Sequence, residues 1–170
     1  MWEYRGQKRP PFALPPGPGQ ESVWDYPRPP ALAPDDRLVE VKADSALIAS
    51  STRAVRVLET AGPPTFYLPP GDVRLSQLVR ASGRSVCEWK GAAGYWALAA
   101  APGAGAVGWS YDHPSPAFAP IRGHLSFYPG RLECFVAGER VRPQPGGFYG
   151  GWITDEIVGP IKGDPGTAGW

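Results

Sequence analysis

Cysteine and histidine are scarce in this 170-residue chain, two of each, and no apolar run approaches the roughly 18 residues of a spanning helix. Two cysteines, Cys87 and Cys134, are too few for a disulfide framework. Together with His113 and His124 they lack the ligand spacing of a zinc site, so no metal or other cofactor is expected. Charge of one sign is also missing, with 17 basic and 16 acidic residues giving a formal net charge of +1. No sequence-wide field therefore points to nucleic acid or an anionic membrane as a partner, and any anion site has to be local. The opening Met1-Trp2-Glu3-Tyr4-Arg5 leads into charge and proline instead of an apolar core, so a secretory signal is not expected. A soluble, cytoplasmic protein is the expectation.

Proline and glycine are abundant, 22 of each. Proline removes a backbone donor and fixes φ, and glycine carries a high backbone entropy, so short strands and many turns are expected in place of long helices. At this length a single domain can bury roughly 70% of its unfolded surface, enough for a core without staples.

Residues 1–37 form a Pro-rich arm interrupted by Trp2, Tyr4, Phe12, Trp24 and Tyr26, and Trp24 and Tyr26 are expected to dock on the domain. Residues 38–142 form the domain proper. Leu38–Ala43 alternates with period two and Ala46–Ala49 follows after Asp44-Ser45, a hairpin signature. The run Thr52–Glu59 fits strand or helix, and its β-branching favours strand. Thr65–Leu68 reads as strand, and Asp72 is placed to cap a short helix over Val73–Val79. Gly94–Ala99 and Val107–Tyr111 read as strands, and Leu125–Tyr128, Pro129-Gly130 and Leu132–Val136 read as a further hairpin with Cys134 in the core. Residues 143–170 form a tail rich in glycine and aromatics.

Chemistry concentrates in Ser85-Val86-Cys87-Glu88-Trp89-Lys90-Gly91, with Tyr95 and Trp96 just beyond. A thiolate beside Lys90 would be favoured by the positive charge, which makes Cys87 the candidate nucleophile, and His113 is the candidate base. Free cysteine is among the most buried residue types, so the plainer reading of Cys87 is a buried structural thiol. Lys90 is a candidate anion ligand or reactive amine, and Arg56 a candidate anion clamp or the ion-pair partner of Glu59 or Asp72. Tyr67, Trp89 and Trp109 are candidate walls for a planar ligand, or core. Tyr95 and Trp96 are expected on opposite faces of their strand.

Several of these residues form an ordered series: Arg56–Thr60, Pro64–Pro69, Asp72-Val73, Cys87–Gly91 with Tyr95-Trp96, Trp109-Ser110-Tyr111, and Pro120-Ile121 ahead of Phe127-Tyr128. The series resembles the Domain of Unknown Function 427 (DUF427) family over roughly Leu38 to Arg142. Ser22–Pro29 and Gly146–Trp152 resemble the arms of its longer, single-copy members. The resemblance implies a mainly β fold: a compact antiparallel domain, barrel-, sandwich- or tent-like, with one short helix and extended arms. It implies no activity. Nucleotidyl transfer, a label attached to the family, normally needs closely spaced carboxylates for two metal ions, and the chain has no D-x-D or D-x-E pair and no phosphate-binding glycine loop. Three functions follow: a pocket for a small polar or anionic ligand, an enzyme using Cys87 or Lys90 with His113, or a scaffold whose arms bind a partner.

Overall fold

A computed structural model describes residues 2–170; Met1, the first residue of the expected arm, lies outside the described residues. The fold is mainly β, built chiefly from three antiparallel sheets of three or four strands, with a two-stranded antiparallel pair, Arg142–Pro143 and Trp152–Ile153, beside them, and none is closed into a barrel. One sheet joins Leu78–Cys87, Gly91–Leu98, Ala106–Ser110 and Leu125–Phe127 in sequence order. A second holds Val39–Ala43 between Ala46–Ser51 and Glu133–Val136, with Glu139–Arg140 at its edge. The third sets Ala54–Leu58 between Ala31–Asp35 and Thr65–Tyr67. A bridge between Leu68 and Leu125 ties the third sheet to the first.

The Val39–Ala43 and Ala46–Ser51 hairpin closes through Asp44 and Ser45, both at positive φ (47° and 72°), as a two-residue turn matched to strand twist requires. Its inward residues Val39, Val41, Ile48 and Ala49 are buried with Phe66, Leu125, Phe127, Cys134 and Trp152 in the main core. The Thr52–Glu59 run is a strand over Ala54–Leu58.

Two local expectations are corrected. In place of a helix over Val73–Val79 stand two 3₁₀ turns, Pro70–Asp72 and Leu75–Gln77, and Leu78 already opens a ten-residue strand. Seven residues gain little from helix formation alone, whereas the strand pairs Leu78 with Leu98 and buries it. The Asp72 carboxylate accepts from Ser51 Oγ (2.7 Å) and pairs with Arg53 (2.9 Å) instead of capping. The longest helical segment is the 3₁₀ run Pro116–Ile121. The second correction concerns Leu125–Phe127 and Glu133–Val136, which belong to different sheets. Arg131 and Leu132 both donate backbone hydrogen bonds to Tyr128 O, but the strands beyond that turn pair with Ala106–Ser110 and Val39–Ala43.

The two arms pack on the body and on each other. Glu21–Ser22 pairs in parallel with Ile157–Val158, and Val23, Trp24 and Tyr26 are buried with Ala61 and Ile157 in a separate cluster. Trp24 donates from Nε1 to Pro160 O (3.1 Å), and Tyr4, Phe12 and Trp170 pack around its ring. Among the described residues no helix is long and apolar enough to cross a membrane.

Candidate functional site

Cys87 ends one strand and Gly91 begins the next, so Glu88, Trp89 and Lys90 form a three-residue loop. Gly91 takes the positive φ (104°) that lets so short a loop close. From below, Ser115 fixes the loop by donating its N–H to Lys90 O (3.0 Å) and its hydroxyl to Trp89 O. That geometry turns the lysine back across the strand end, and its ammonium donates to Cys87 Sγ at 3.3 Å.

Both side chains line a cavity of about 260 Å³. Tyr67 comes from the third sheet, and Tyr95 and Trp109 come from facing positions on adjacent strands of the first. The Trp109 indole donates to Tyr67 Oη at 3.0 Å, joining the two sheets across the cavity floor. Tyr95 donates to Ser85 Oγ (2.7 Å), while Trp96 points to the opposite face and donates to Ser110 Oγ (2.9 Å). The expected split between Tyr95 and Trp96 is therefore observed.

The C-terminal tail supplies the roof through Gln144, Phe148–Gly151 and Lys162. Gly150 lies flat on the Trp109 indole, where any Cβ would overlap the ring, and a Cβ at Gly151 would overlap Pro63 and the Gln144 amide. The Gln144 side chain pins the tail at both ends, donating to Lys162 O (2.7 Å) and accepting from Gly151 N–H (3.1 Å).

Electrostatically the cavity is cationic within aromatic walls. Its single lining carboxylate, Glu59, sits 3.8 Å from Arg28, and Lys90 has no carboxylate within 4 Å among the described residues. Burial works to lower the Lys90 pKa, but attraction to Tyr67 and Cys87 and the hydrogen bond to the sulfur outweigh it and hold the group above the usual lysine value. Lys90 is thus a charged donor at neutral pH, facing the rings of Tyr111 (5.7 Å) and Phe118 (6.0 Å). Burial raises the phenols: Tyr67 and Tyr111 go well above the ordinary tyrosine value, and Tyr128 is pushed up to about 12. All three are neutral hydrogen-bonding groups near pH 7.

Of the residues singled out in the sequence, Tyr67, Cys87, Lys90 and Trp109 meet in this cavity; Arg56, Trp89 and His113 are not among its lining. The Arg56 guanidinium is engaged with Glu21 (2.5 Å), which ties the N-terminal arm to the third sheet, and with Asp35 (3.5 Å) on the neighbouring strand of that sheet. Trp89 packs against the aromatic cluster below the loop, its Nε1 buried without a partner. His113 is exposed on the loop that supports Gly91, which it meets through its backbone carbonyl. Gln144, Tyr149 and Lys162 were not foreseen. The one pointer to them was the Gly146–Trp152 stretch of glycines and aromatics, a composition suited to close approach. Among the described residues, no group of three or more His, Cys, Asp or Glu side chains is placed to hold a metal ion.

A family model described as Domain of unknown function (DUF427) matches residues 31–138, well over half of the chain. The chain belongs to this family. The match takes in Cys87, Lys90, Tyr67 and Trp109 and ends before the tail, so the DUF427 region supplies the floor and walls and the C-terminal residues supply the roof. No curated protein matches the chain.

Proposed function

We propose that this DUF427 protein binds a small anionic ligand with an apolar, planar body, and that Lys90 receives its acidic group. The observation that carries this reading is the Lys90 ammonium: it is largely enclosed, charged, without a carboxylate partner, and placed at the wall of an aromatic cavity. The ammonium donates one hydrogen bond, to Cys87 Sγ, and its remaining donor capacity has no carboxylate to meet, which leaves it open to an anionic ligand. A charge-assisted hydrogen bond to such a ligand is worth about 1.5–3 kcal/mol. The tyrosines and Trp109 supply flat apolar surface and hydroxyls that fix orientation.

Binding is favoured over catalysis by the same residues. A lysine held above its ordinary pKa is an anion ligand at neutral pH and a poor amine nucleophile, and neither His113 nor His124 lines the cavity to serve Cys87 as a base. Native mass spectrometry of gently purified protein tests the reading. A small acidic molecule is expected to accompany the wild type and to be lost from Lys90→Met. An adduct retained at full occupancy in that variant would overturn the role of Lys90.

A further inference from the structure

Lys162 is the second cation of the cavity, and its charge meets aromatic rings but no carboxylate among the described residues. The residue is 7% exposed, yet its ammonium makes no hydrogen bond and has no carboxylate within 4 Å among the described residues. Its backbone is held firmly: Lys162 N–H donates to Ala61 O (2.8 Å) and its carbonyl accepts from Gln144. The side chain is thereby aimed along the cavity roof, where the rings of Trp2 (4.3 Å) and Tyr149 (5.4 Å) lie beside Nζ.

The neighbouring charges make this position more unusual. Arg28, itself buried, stacks on the same Trp2 ring at 4.2 Å, so two cations share one indole. The nearby acids are committed elsewhere: Glu59 to Arg28, and Glu88 to Trp2 Nε1 at 2.6 Å. Burial first and the Arg28 charge second depress the Lys162 pKa, with Glu59 and Glu88 opposing. The ammonium is partly enclosed and has no carboxylate partner among the described residues, so it is free to take up an anion that the cavity admits.

We propose that Lys162 is a second anion subsite, so that the ligand is a planar molecule carrying two acidic groups, one directed to Lys90 and the other to Lys162. The proposal rests on the binding reading above. It assigns the two lysines to different parts of the protein: Lys90 belongs to the region matched by the family, and Lys162 to the tail beyond it. The tail therefore sets the preference for a second acid, while the DUF427 region holds the first.

Calorimetric titration of the full chain with benzoate, which has one carboxylate, and with isophthalate and terephthalate, which have two, separates these roles. The better diacid is expected to bind wild type at least about tenfold more tightly than benzoate, the equivalent of one modest charge-assisted contact. In Lys162→Met that preference falls to about one, with the diacids losing more affinity than benzoate, and in Lys162→Arg it survives; in Lys90→Met all three acids weaken. Melting curves of each variant establish that the fold is intact. Equal binding of mono- and diacids by wild type, or a preference that survives in Lys162→Met, overturns the second subsite. If Lys90→Met still loses benzoate in that case, the first reading stands. Failure of every acid to bind wild type overturns both.

Discussion

Gly150 rests directly on the indole of Trp109, in a space that admits no Cβ. This contact seats the C-terminal tail over a cavity whose floor and walls belong to the DUF427 region, and it is the most sensitive point of the roof. Gly150→Ala is expected to cost about 1–3 kcal/mol through overpacking. Urea unfolding measures the cost, and a red shift of tryptophan emission reports the lifted tail.

The two cysteines differ in exposure in a way that alkylation can read. Cys134 is fully buried on a core strand, and burial pushes its thiol well above the usual value, whereas Cys87 lines the cavity. One iodoacetamide adduct per chain is expected on the native protein, at Cys87, and two after denaturation. Intact-mass analysis with peptide mapping checks both numbers.

Asp35 supplies an acid-dependent ion pair at the edge of the third sheet, to Arg37 and Arg56. Burial alone would raise its pKa, but the Arg37 side chain and backbone N–H, together with the charges of Arg37 and Arg56, prevail and hold it below the usual carboxylate range. A depressed folded pKa means that the stabilisation is complete above the unfolded value of about 3.9 and is lost as pH falls through the folded one. Asp35→Asn is expected to destabilise the protein by about 1.5–3 kcal/mol at pH 7, because it weakens the charge-assisted bonds to Arg37 and leaves Glu21 as the carboxylate on Arg56. The gap between wild type and variant should begin to narrow as pH falls below about 3.9 and close below the folded pKa, as denaturant unfolding at a series of pH values measures.

Trp24 joins the two arms. Its ring meets Tyr4, Phe12 and Trp170, and its Nε1 holds Pro160 O. Trp24→Ala is expected to cost about 3–5 kcal/mol and to expose both arms to trypsin before the β-domain is cut. Limited proteolysis followed by mass mapping gives the order of cleavage.

Much of this fold was legible where the signal is local. The Asp44-Ser45 hairpin carries its alternation and its turn within a dozen residues, and Cys87 and Lys90 meet because three positions across one loop bring them together. The strands around Pro129-Gly130 were misread for the complementary reason: the turn is local, but the partners of Leu125–Phe127 and Glu133–Val136 are not, and pairing to Ala106–Ser110 and Val39–Ala43 leaves no mark in the turn. The partners of Arg56 are Glu21 and Asp35 and not the expected Glu59 or Asp72, because an arginine gives no sign of which carboxylate will reach it, and Glu21 arrives from 35 positions away. Lys162 was invisible for a related reason. It lies in an irregular segment without periodicity, and its place in the cavity depends on Ala61 and Gln144 gripping its backbone.

The most direct test of ligand binding at Lys90 is the rate of Cys87 alkylation as benzoate is added, since an acid held by the Lys90 ammonium lies beside the sulfur 3.3 Å away. The rate is expected to fall in proportion to benzoate occupancy in the wild type and to be unaffected by benzoate in Lys90→Met. A wild-type rate that stays constant up to millimolar benzoate would contradict anion binding at this site.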